Sequence, residues 1–87
     1  MEVVRSPVVP RFYFHLRNDM DVPDEEGKDL PDLESARAHA ERLARFEASE
    51  AVKEQGRVVL NHRIDVEDDQ HRILHPVWFR DVVQVEG

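Results

Sequence analysis

Between Pro31 and Gly56 lies the segment that most constrains this chain. Asp32 is a good N-cap, because its carboxylate accepts the free N–H groups of a first helical turn. Glu34 follows where the helix dipole favours an acid, and Gly56 is placed to close the helix in a left-handed conformation. At about 100° per residue, Leu33, Ala36, Ala40, Leu43, Ala44 and Ala51 fall on one face, with Phe46 and Val52 on its flanks. The spacing predicts a helix from about Leu33 to Gln55. A face made mostly of alanine lets such a helix lie close to a sheet. Glu47 interrupts it: either the helix curves and Glu47 stays wet, or a buried acid needs a partner or a raised pKa.

Around the helix the period changes to two. Phe12, Phe14 and Leu16 alternate with Tyr13, His15 and Arg17, the pattern of a half-buried strand. Asn18 to Asp21 has turn chemistry, and Pro23 to Gly27 reads as a loop flanked by residues fit only for short edge strands. After Gly56, Val58 to Glu67 reads as a strand with Leu60, Ile64 and Val66 on one side, where His62 also falls, and Arg63, Asp65 and Glu67 on the other. Asp68 to His71 makes a turn. Arg72 to Phe79 returns as a strand in which Ile73, Val77 and Phe79 share one face and Leu74 and Trp78 the other. Val82, Val83 and Val85 continue that strand through a bulge or form a short extra segment. The expected fold is α+β: one domain over residues 11–87 in the order ββαββ, an antiparallel sheet with the long helix on one face. Residues 1–10, with Pro7 and Pro10 around Val8 and Val9, read as a flexible arm.

Eighty-seven residues leave room for one modest core and no second domain. The absence of cysteine removes disulfides, thiolate metal sites and cysteine nucleophiles. A net charge of −7 repels phosphate backbones, so nucleic-acid binding by the chain alone is not expected. There is neither a secretory h-region nor an apolar run of membrane length, and the expectation is a cytoplasmic protein without a membrane role.

Four stretches together resemble a family of short bacterial proteins carrying a domain of unknown function. They are Arg11-Phe12-Tyr13-Phe14-His15-Leu16-Arg17, then Leu30-Pro31-Asp32-Leu33-Glu34-Ser35-Ala36-Arg37 with the preceding Asp24-Glu25-Glu26-Gly27, and Val77-Trp78-Phe79-Arg80-Asp81-Val82-Val83. The likeness runs from about Pro10 to Glu86 and implies an identity but no biochemistry. The order of strand, acidic turn, strand and alanine-rich helix is also similar to HicB-type antitoxins, although the DNA-binding segment those usually carry has no counterpart here.

Candidate chemistry is sparse. Asp19, Asp21, Asp24, Glu25 and Glu26 place five carboxylates in eight residues, the ligand type that Ca²⁺ or Mg²⁺ takes. The spacing is not an EF-hand's: counted from Asp19, its glycine and terminal glutamate positions hold Asp24 and Leu30. His62, His71 and His75 surround one hairpin near His15, but opposite faces of a pleat do not converge. His39 belongs to the polar side of the helix. Ser6, Ser35 and Ser49 lack a nucleophile-elbow setting, no threonine is present, and no glycine-rich phosphate loop occurs, so neither an enzyme nor a cofactor is expected. Tyr13, Leu74 and Trp78 are expected on the sheet face away from the helix, as an apolar patch that one helix leaves uncovered. The leading expectation is a non-catalytic interaction module forming a homodimer, or binding a protein partner, through that patch. A ligand or divalent-metal sensor built on the acidic loop and His15, or an antitoxin-like regulator, is the alternative.

Overall fold

The helix forms over Leu33–Gln55 (α1), with the Asp32 carboxylate accepting the Ser35 N–H at 2.8 Å and the Gly56 N–H donating to the Val52 carbonyl at 2.9 Å. Gly56 takes φ +70°, the conformation that ends helices at little cost only when no Cβ is present. The computed structural model describes residues 9–87. The arm read over residues 1–10 therefore lies outside the described residues except for Val9 and Pro10. Pro10 already belongs to the fold, since its carbonyl accepts the Leu30 N–H.

The strands are β1 (Arg11–Arg17), β2 (Lys28–Asp29), β3 (Arg63–Glu67) and β4 (Ile73–Trp78), all antiparallel in the order β2-β1-β3-β4. This is the α+β arrangement expected, a four-stranded sheet with one long helix. Phe12 and Phe14 of β1, Ile64 and Val66 of β3, and Val77 of β4 point toward α1, which answers with Ala36, Ala40, Ala44 and Ala48. The alanines recur every four residues and trace one ridge, so the helix backbone approaches the sheet closely and the aromatic rings supply the volume. Leu33, expected on the same face, is 47% exposed, while Ala36 in the same turn is fully buried.

Three boundaries differ from the sequence reading. Residues 58–62 are not strand: the His62 N–H turns back to the Val59 carbonyl, and the His62 and Leu60 carbonyls accept N–H groups from Phe79 and Arg80. The segment bridges the end of α1 to the sheet, and Leu60 is exposed. After Trp78 the chain closes a single helical turn, α2 (Phe79–Val82), instead of continuing as strand, and Val85 is exposed. Phe79 still enters the core at 2% exposure, now from the start of that turn. Arg45 of α1 donates to the Val82 carbonyl and ties the turn down. Finally, the register between β3 and β4 shifts at Val66/Glu67, where His75 opposes Val66 but Ile73 opposes Glu67. This bulge absorbs Leu74 and exchanges the faces expected for Ile73 and Leu74.

Candidate functional site

The sheet face turned away from α1 is organised in rows across the strands. Arg17 opposes no apolar group but Arg63, and Arg63 opposes Trp78. In the next row His15, Asp65 and Pro76 lie side by side, and in the third Tyr13, Glu67 and Ile73. Asp65, only 5% exposed, accepts from Arg17 Nε at 3.1 Å and from Arg63 Nε at 2.8 Å. A buried carboxylate is tolerated when its lone pairs are taken up in this way. The guanidinium of Arg63 also lies 5.0 Å from the centre of the Trp78 ring, and that of Arg80 5.5 Å from it, so the indole is flanked by two cations. Arg80 is held in turn by Asn61.

His15, 8% exposed, is fixed at both nitrogens. Its Nδ1 accepts the Asp24 N–H at 3.0 Å, which leaves the proton on Nε2 to be donated to Glu67 Oε1 at 3.0 Å. Tyr13 stacks alongside it with ring centres 6.5 Å apart. Of the residues that build this face, His15 was expected only as part of a sensor with the acidic loop, and Arg17, Arg63, Asp65, Glu67, Ile73 and Arg80 were not among the site residues expected from sequence. For His15, Arg17, Arg63, Asp65 and Glu67 the signal was present in the alternation opposite Phe14, Leu16, Ile64 and Val66; Ile73 reaches the face through the bulge and Arg80 from α2. Of the expected patch, Tyr13 and Trp78 share this face at opposite ends. Leu74 does not join them, and instead lines a shallow hollow with Leu33, Glu34, Arg37 and His75 beside the start of α1.

The acidic loop is held together from within. Asp24 Oδ2 accepts the Phe14 N–H, and Oδ1 accepts the N–H groups of Glu26 and Gly27. Asn18 Oδ1 accepts those of Met20 and Asp21. Burial works against the charge on Asp24, but the N–H groups of Gly27, Phe14 and Glu26, with His15 nearby, outweigh it and hold the carboxyl below its ordinary range. Asp19 turns away to His62, 3.5 Å distant. Among the described residues no three histidine or carboxylate side chains are grouped so as to hold a metal ion.

On the helix side a cavity of about 400 Å³ opens between the second half of α1 and the turn after β1, with Leu16, Ala51, Val59, His62 and Phe79 in its lining and Glu47 at its wall. Glu47 is half-buried, between the two readings of the sequence. Burial, then repulsion from Glu50 and Glu54, raises its carboxyl above the ordinary value. Folding therefore favours the protonated acid, and the ionised form subtracts from stability above the raised pKa. Glu47→Gln is expected to raise the melting temperature at pH 7, with the difference shrinking as pH falls through that pKa; paired thermal melts at several pH values check it.

With this arrangement in view, comparison with known families supplies the identity. Residues 11–80, from the first residue of β1 through the first half of α2, match the family described as domain of unknown function DUF6894. The chain belongs to the DUF6894 family. The match takes in every row of the polar sheet face. No curated protein and no solved structure matches this DUF6894 domain.

Proposed function

We propose that this DUF6894 domain is a non-catalytic interaction module that associates with a second copy through the sheet face opposite α1. The observation that carries the reading is Trp78, half-buried between Arg63 and Arg80 on a face that neither helix covers. Tryptophan, tyrosine and arginine are the residues on which interface energy concentrates, and this face presents Trp78 and Tyr13 with Arg17, Arg63 and Arg80 in a short span. Part of the polar inventory between them is already paired, since Asp65 accepts from both Arg17 and Arg63 and His15 is engaged at both ring nitrogens, and this lowers the cost of covering the face. The net charge of −7 sets the molecule against nucleic acid as the alternative occupant. A small core, with no cysteine available to brace it, also gains most from association. Action in the cytoplasm is part of this reading.

Sedimentation velocity tests it. The wild-type protein is expected to sediment as a dimer, and Trp78→Asp as a folded monomer, because the substitution removes the largest aromatic surface of the face and puts a hydrated carboxylate at the contact. A wild-type monomer at every concentration, or a Trp78→Asp dimer of unchanged affinity, overturns the reading.

A further inference from the structure

The charges on the sheet face are distributed by row, and their order limits how two copies can meet. Arg17, Arg63 and Arg80 gather at the end of the face marked by Trp78, where Asp65 accepts from the first two. At the other end, where Ile73 and Tyr13 lie, the row carries Glu67. Tyr13 and Arg17 are four residues apart, so the two ends are separated by about 13 Å along β1.

Resting on the reading that this face is the contact, we infer that the second copy docks face to face about a two-fold axis running across the strands, through the row of His15, Asp65 and Pro76. Two sheets that pack by their faces keep their strands roughly aligned, and the axis must then lie in the plane between them. An axis along the strands stacks the arginine row of one copy on the arginine row of the other. An axis across the strands lays each strand antiparallel over its own counterpart and reverses the rows. Arg63 then faces Glu67 of the second copy, Arg17 faces Tyr13, and Trp78 faces Ile73. The three pairs are a charge pair, a cation over an aromatic ring, and an apolar contact, and the symmetry makes each of them twice. Ile73, 50% exposed in the single chain, gains a cover, and the half-exposed guanidinium of Arg63 gains a second acid.

Two experiments on the full chain separate this geometry from others. Arg63→Glu places an acid opposite Glu67, and Glu67→Arg a base opposite Arg63; each is expected to weaken the dimer by about tenfold or more, while the double exchange returns most of the loss. Because both residues also make contacts within their own chain, a crosslink supplies the second measurement. Pro76 is exposed and lies on the axis row, so in this cysteine-free chain Pro76→Cys is expected to join to its own counterpart through a short bifunctional maleimide. Arg17→Cys is not, since it is displaced from its counterpart by about 13 Å. Crosslinking at position 17 but not at 76, or a double exchange no tighter than the single variants, overturns the geometry. If Trp78→Asp still yields monomer in that case, the face stands and only the axis is wrong; a monomeric wild type overturns both.

Discussion

Asp24→Ala is expected to cost about 2–4 kcal/mol, a large part of the ~5–15 kcal/mol that holds an ordinary domain together. The carboxylate stands where a strand is missing. β2 pairs only with Arg11 and Phe12, and pairing resumes further along β1 at the bridge between Leu16 and Val22. Between these, the Phe14 N–H has Asp24 as its acceptor. Removing the side chain strands that N–H beside the core, frees the N–H groups of Glu26 and Gly27, and loosens the loop whose backbone holds His15. Asp24→Asn keeps one acceptor oxygen and is expected to fall between alanine and wild type. Chemical denaturation of the three proteins at pH 7 gives the order directly. The pH dependence has a definite sign: because the folded carboxyl lies below its unfolded value, its contribution is complete above the unfolded pKa, about 3.9, and is lost as pH falls through the folded one. Asp24→Ala should therefore show a smaller loss of stability on acidification than the wild type, and equal acid sensitivity would exclude this role.

Gly27→Ala is expected to be of similar size, about 2–4 kcal/mol, and Gly56→Ala distinctly smaller. Both glycines have positive φ, +73° and +70°. At Gly56 nothing lies within 4 Å of an added Cβ, so only the conformational term of about 1–2 kcal/mol applies. At Gly27 the methyl would meet a Tyr13 ring carbon at 2.8 Å, Arg11 Cγ at 2.9 Å and the Phe12 carbonyl oxygen at 3.0 Å. The ring and the arginine stem can move, but the carbonyl belongs to β1 and cannot. Displacing Tyr13 also disturbs its stack on His15, so Gly27→Ala should weaken self-association where Gly56→Ala does not. Urea titration and sedimentation of the two variants side by side test both statements, and equal destabilisation would remove the steric argument.

Long periodic segments were legible in the sequence. The bounds of α1 follow from Asp32 and Gly56, and the inward set Phe12, Phe14, Ile64, Val66 and Val77 follows from strict alternation. What was not legible depended on one-residue events. Leu74 and Ile73 exchange faces because of a bulge, and a period-two pattern does not report which residue of a run is the extra one. Val58 to His62 has the composition of a strand, but its only long-range backbone bonds among the described residues run from Phe79 and Arg80 to the His62 and Leu60 carbonyls, too few for a ladder, and composition does not count partners. The acidic loop is a different case. Five clustered carboxylates suggested a cation, whereas the decisive group, Asp24, is engaged by backbone N–H groups from residues adjacent to it and from β1, a use that spacing alone does not distinguish from a ligand set. His15 was placed on the polar side by alternation, yet its burial depends on Glu67, fifty-two residues away.

The Asp24 plug has a consequence for how chains of this kind behave when crowded. A sheet edge with free N–H and C=O groups is a template for another strand, and growth from such an edge leads to fibrils. Along β1 the outer edge is occupied in turn by β2, by the Asp24 carboxylate and by Val22. At the opposite border of the sheet β4 carries Pro76, which has no N–H to offer. With one border filled and the other interrupted, indefinite strand-by-strand addition is disfavoured; the face-to-face association proposed above, by contrast, closes after two copies.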